Sequence, residues 1–139
     1  MASFQAKEWL KAAYSDLRSI EHIMNDSFLT HVVAFHSQQV IEKSLKSIME
    51  NASISVPKVH KLETLVSKIK IELKFNVDIL EILDLLYIES RYPGDIGLLP
   101  HEKPTLKDAK EFYDAAQNIF KQTCELLYIR LEEITAVEE

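Results

Sequence analysis

The residues best suited to chemistry surround a single arginine that lies between two tyrosines. Tyr87 and Arg91 are four residues apart, so they project from the same side of a helix, and Tyr92 follows directly. A guanidinium group offers a planar fork to a phosphate or a carboxylate, and a tyrosine ring can stack on a base. At a helix C-terminus the same arginine can instead satisfy the last carbonyl groups. The pattern predicts an anion site, with helix capping as the alternative.

The helix-breaking residues of the chain gather directly after this arginine. Both glycines and three of the four prolines fall within residues 93–104, namely Pro93, Gly94, Gly97, Pro100 and Pro104. The sequence on either side of this segment has helical periodicity. Because the breakers are concentrated in one place, we expect a loop there that belongs to a functional site.

A second polar group lies earlier in the chain. Gln39, Lys43 and Lys46 share one face of a predicted helix, and Glu42 and Lys46 have the i,i+4 spacing of an ion pair. This face could contact a partner or a phosphate. Composition alone favours a solvated helix face instead.

Other candidate residues are isolated. Asp16 is an acid beside an apolar stripe, either paired with a cation such as Arg91 or facing water. His60 precedes a short predicted helix and is expected to cap it or pack there. The five histidines lack the spacing of a metal site, so no metal or cofactor is expected, and no phosphate-binding or nucleophile motif is found.

Composition limits the class of protein. A chain of 139 residues is expected to form one domain over residues 1–139, and its net charge of −6 argues against a broad nucleic-acid coat. The lone Cys124 favours a reducing cytoplasm, and the apolar runs are too short to cross a membrane.

The periodicity predicts an all-α fold, an antiparallel, up-and-down four-helix bundle with an additional short helix. The first helix begins after Ser3 as N-cap and the last after Thr105, with Asp108 completing a capping box. The five helices are predicted over about 3–25, from 28 or 30 to 51, over about 59–70, from Asn76 to Pro93, and from Thr105 with an apolar stripe to Leu127.

Four segments together resemble the HEPN family, whose name describes a nucleotide-binding domain of higher eukaryotes and prokaryotes. They are Ala12-Ala13-Tyr14-Ser15-Asp16-Leu17, Phe35-His36-Ser37-Gln38-Gln39-Val40-Ile41-Glu42-Lys43-Ser44-Leu45-Lys46, His60-Lys61-Leu62 and Tyr87-Ile88-Glu89-Ser90-Arg91-Tyr92-Pro93. The resemblance spans about residues 5–130, and it is the order and spacing of the segments that make it specific.

The resemblance implies a helical bundle that is commonly a homodimer and often acts with a minimal nucleotidyltransferase as a toxin–antitoxin pair. Toxic members are metal-independent endoribonucleases with an arginine, four to six residues, and then a histidine, often with a tyrosine two residues further on. Here nine residues separate Arg91 from His101, and Lys103 stands where that tyrosine would be.

Three functions follow from these observations. The first is a binding module for a nucleotide or a partner, using Gln39, Lys43, Lys46, Tyr87, Arg91 and Tyr92. The second is a ribonuclease in which Arg91 and His101, or alternatively His60, perform the chemistry. The third is a helical assembly protein in which the Arg-Tyr-Pro corner shapes a dimer interface. The departure from the ribonuclease spacing favours the binding module.

Overall fold

The computed structural model describes residues 2–90 and 103–136, and this part of the chain is helical with no strand. The elements are α1 (Phe4–Ile23), a 3₁₀ turn (Ser27–Leu29), α2 (Thr30–Asn51), α3 (Leu62–Ser67), α4 (Val77–Ser90), α5 (Leu106–Leu126) and α6 (Leu131–Thr135). The predicted all-α fold is confirmed. Within these ranges no helix is both long enough and apolar enough to span a bilayer.

Local capping residues start the helices where the sequence predicted. The Ser3 hydroxyl accepts a hydrogen bond from the Ala6 amide at 3.1 Å, and the Asn76 side chain accepts one from the Asp78 amide at 2.9 Å. Thr105 and Asp108 form the complete capping box at the start of α5. Each cap satisfies an amide that the first helical turn leaves without a partner.

Helices α2 and α5 end in the same way, although neither uses glycine. Ser53 and Tyr128 have φ angles of 57° and 55°, in the left-handed region. The following residues donate back into the helix, Ile54 to the Met49 carbonyl and Ile129 to the Cys124 carbonyl, each at 2.9 Å. This is the Schellman motif, in which non-glycine residues are disfavoured by about 1–2 kcal/mol.

The sixth helix was not predicted from the sequence. The apolar stripe predicted for the last helix ran to Leu127, next to the observed end of α5 at Leu126, and α6 follows the turn at Tyr128. Ile129 and Ile134 are buried and explain why the chain turns back here. The third helix is also shorter than predicted, Leu62–Ser67 instead of about 59–70.

Helix α2 is the centre of the bundle and packs against α1, α5 and α4. α1 runs antiparallel to α2, since the Ser3 amide near the start of α1 donates to the Asn51 side chain at the end of α2. Tyr87 near the end of α4 stacks on Phe35 near the start of α2, so this pair is antiparallel too. The arrangement leaves one side of α2 facing α4 and the segment before α3, residues 52–61.

Candidate functional site

A buried ion pair lies on α2, on the side that faces the segment before α3. The Lys46 ammonium is 3.1 Å from Glu42 Oε2, and the two side chains are only 6% and 5% exposed. Lys46 Nζ also lies 5.5 Å from the centre of the Trp9 ring, a cation–π contact. The other Glu42 oxygen lies 3.0 Å from His60 Nδ1. Glu42 therefore joins one lysine and one histidine.

A second carboxylate on α1 repeats this arrangement. Asp16 Oδ1 lies 2.7 Å from His36 Nδ1, and Asp16 Oδ2 lies 2.6 Å from Lys43 Nζ. Because an ionised carboxylate only accepts hydrogen bonds, both Nδ1 atoms carry the proton. Nδ1 of each ring is thereby engaged, and within the described residues no hydrogen bond involves either Nε2 atom.

Four rings form a row that begins and ends with these histidines. Phe35 lies edge-on to His36 with ring centres 5.4 Å apart. Phe35 and Tyr87 are nearly parallel, with ring centres 5.7 Å apart and an interplanar angle of 15°. Tyr87 is tilted against His60 at 5.3 Å. We call His36, Phe35, Tyr87 and His60 the ring row; it joins α2, α4 and the segment before α3.

The segment that carries His60 is held from both sides. Gln38 Nε2 on α2 donates to the His60 carbonyl at 2.7 Å. From α4, Asp84 accepts the Leu62 amide at 2.9 and 3.0 Å and lies 3.5 Å from the Glu63 amide. Since Lys61 gives α3 no side-chain cap, Asp84 caps this helix from another element.

Burial raises the pKa of the Asp84 carboxyl, and the two amide donors partly counteract this effect. The side chain of Leu62, which follows this contact, is completely buried. His60 itself keeps a side chain that is 47% exposed. The backbone of the segment is therefore fixed while the imidazole faces solvent.

The predicted binding residues fall into three groups. Tyr87 lies in the ring row. Gln39, Lys43 and Lys46 lie beside it on α2, where Gln39 Nε2 donates to Gln38 Oε1 at 2.7 Å. Arg91, Tyr92 and His101 lie outside the described residues.

One expectation for these charges is wrong, and another is confirmed in one of its two alternatives. The solvated helix face is contradicted because Glu42 and Lys46 are buried. Asp16 was expected either to pair with a cation such as Arg91 or to face water; it is buried and pairs with the Lys43 ammonium, while Arg91 lies outside the described residues. The error has a simple cause: residues far away in the chain cover positions that look exposed on an isolated helix.

Two functional candidates were not predicted from the sequence. His36 was noted only in the α2 pattern and among the histidines without metal-site spacing, although its position seven residues before Lys43 places both side chains on one helix face. Asp84 was not considered, because its partners lie 22 residues earlier in the chain. Within residues 2–90 and 103–136, no group of three or more metal-ligating side chains comes together.

The chemistry available here is that of a polar cluster with paired charges. Each of the two carboxylates is paired with one lysine, and the two histidine rings contact aromatic rings. Such a site can stack a planar group and hold or move a proton next to it. Neither lysine has a free charge to offer, since each ammonium is already paired with a carboxylate.

The family of the chain is shown by comparison with known proteins. The model of the HEPN domain family matches residues 6–127, and the chain therefore belongs to the HEPN family. No curated protein and no solved structure gives a significant match. The matched residues include most of α1, all of α2 to α5, and both Asp16 and Glu42.

Proposed function

We propose that this protein is a dimeric HEPN module that binds a nucleotide or an RNA segment and acts with a minimal nucleotidyltransferase, as one half of a toxin–antitoxin pair. The family match supports a nucleotide- or RNA-related module. One observation carries the binding proposal. The ring row has a carboxylate-bonded histidine at each end, and it contains Tyr87, which lies four residues before Arg91.

Each part of the site has a distinct role in this proposal. Tyr87 and His60 contact the base, while Arg91 and Tyr92 contact the phosphate and sugar. The carboxylates that orient the histidines are held in turn by Lys43, Lys46 and Gln39, which do not contact the ligand themselves. The overall charge of −6 is compatible with this function, since a short ligand senses the local field rather than the net charge.

Calorimetric titration with ATP and with a short single-stranded RNA tests the binding site. Tyr87→Ala should weaken binding about tenfold, because stacking on an aromatic ring contributes about 1–3 kcal/mol per base. Tyr128→Ala is the matched control, since Tyr128 is almost fully exposed on the turn before α6. Arg91→Ala should also weaken binding, and Arg18→Ala on α1 should not.

The partner and the dimer need separate measurements. Sedimentation should give a dimer, and co-expression with a minimal nucleotidyltransferase should give a stable complex. Absence of that complex, together with no heat change from either ligand in the unaltered protein, would refute the proposed function. Unchanged binding in Tyr87→Ala would remove the ring row from it.

A ribonuclease is the second candidate, and the His60–Glu42 contact favours it. With Nδ1 bonded to Glu42, His60 Nε2 is a suitable acceptor for the proton of an RNA 2′-hydroxyl, and Arg91 would bind the phosphate. RNA cleavage in EDTA should then be lost in His60→Ala and Arg91→Ala. His101→Ala tests the alternative histidine. Cleavage that survives all three substitutions excludes this mechanism.

A further inference from the structure

The His60 segment depends on α4 for its position. α3 has only six residues and no local side-chain cap, so it is too short to be stable by itself. Its first amide donors, on Leu62 and Glu63, point at the Asp84 carboxylate. His60 lies two residues before Leu62, and its ring contacts Tyr87, three residues after Asp84. One face of α4 therefore supplies both the cap of α3 and a ring contact to His60.

The bonds to His60 from α2 do not replace this cap. Gln38 binds the His60 carbonyl and Glu42 binds its Nδ1, so both act on His60 itself. Neither of these contacts involves the amides at the start of α3. Asp84 supplies that contact, because both of its carboxylate oxygens accept the Leu62 amide.

We infer that Asp84 is a positioning residue of the ligand site, which holds His60 in its working orientation by capping α3 from α4. The inference rests on the proposed function for its ligand but not for its geometry. Asp84 and Tyr87 thereby couple the position of α4 to that of the His60 imidazole. Asp84 does not contact the ligand.

The first test uses the ligand-free protein. In Asp84→Ala the Leu62 amide should lose protection from hydrogen exchange, and the NMR signals of the His60 ring should shift. Asp84→Asn keeps one acceptor oxygen, so it should retain part of the Leu62 protection and shift the His60 signals less. Asp78→Ala removes an exposed carboxylate from the first turn of the same helix and should change neither.

The second test is a double-mutant cycle with ATP as the ligand. Asp84→Ala and His60→Ala should each weaken binding about tenfold, and the two substitutions together should cost no more than His60→Ala alone. If Asp84→Ala unfolds the protein, the same cycle is performed with Asp84→Asn, with a smaller loss expected.

The outcomes separate this inference from the function on which it rests. Unchanged Leu62 exchange and His60 signals in Asp84→Ala would overturn the positioning role, as would a loss of affinity that persists in full in the His60→Ala background. Failure of the unaltered protein to bind ATP or RNA refutes the ligand site. In that case the hydrogen-exchange and NMR results still decide whether Asp84 orients His60.

Discussion

Charged side chains are buried on the side of α2 that faces the segment before α3, but they are exposed at the seam between α1 and α5. On α2 the Glu42 and Lys46 side chains are almost completely buried. At the seam, Arg18 and Glu21 form a pair with side chains 55% and 45% exposed, and the partly buried Tyr113 donates to Glu21. Burying an ion pair costs desolvation energy that the attraction seldom exceeds, whereas an exposed pair costs little. Under the proposed function, the α2 cluster would serve the site rather than stability.

The largest expected effect comes from breaking the buried pair. Glu42→Ala leaves the Lys46 ammonium buried and unpaired, so the free energy of unfolding should fall by about 3–5 kcal/mol in a urea titration. Asp114→Ala, which breaks the exposed pair with Lys110, should change it by less than about 1 kcal/mol. Equal losses in both variants would contradict the distinction between the two regions.

A double replacement sharpens the same comparison. Glu42→Leu combined with Lys46→Met removes both charges and keeps similar volume, so stability should return close to that of the unaltered protein. Ligand binding should not return, because His60 loses the carboxylate at Nδ1. Recovery of both properties would show that the pair has no role in the site.

A smaller effect is expected at the seam. Burial and the bond to Glu21 raise the pKa of Tyr113 to about 12. The folded state therefore favours the protonated phenol, and this stabilisation is complete below pH 10 and is lost as the pH rises toward about 12. Tyr113→Phe should lower the unfolding free energy by about 0.5–1 kcal/mol at neutral pH, and it should remove this alkaline loss. An identical alkaline profile in both proteins would contradict the assignment.

The smallest effect concerns reactivity rather than stability. Burial raises the pKa of the Cys124 thiol on α5 to about 11, so little thiolate exists at neutral pH. Alkylation by iodoacetamide at pH 8 should be several times slower in the folded protein than in urea. Equal rates would show that this part of α5 is more open than the structure indicates.

Features that depend on neighbouring residues were predictable from the sequence. The caps at Ser3, Asn76 and Thr105 act within three residues, so a short window of sequence contains both donor and acceptor. The i,i+4 pair of Glu42 and Lys46 is local as well. For the same reason the all-α fold followed from periodicity alone.

Features that depend on distant residues were not predictable in the same way. The burial of Glu42 requires the segment around His60, which lies 18 residues away, and the cap on α3 requires Asp84. The end of α5 is a different case: it is local, but its left-handed residue is Tyr128 rather than glycine, so the usual signal is missing.

The contact between Lys46 and Trp9 gives the protein an intrinsic fluorescence probe. Trp9 is the only tryptophan in the chain, and the ammonium of Lys46 lies 5.5 Å from the centre of its ring. Indole emission responds to nearby charge, and the tryptophan fluorescence of the molecule has a single origin, next to the Glu42 cluster. A change in that cluster, whether from a ligand or from a partner subunit, is therefore visible in solution without any added label.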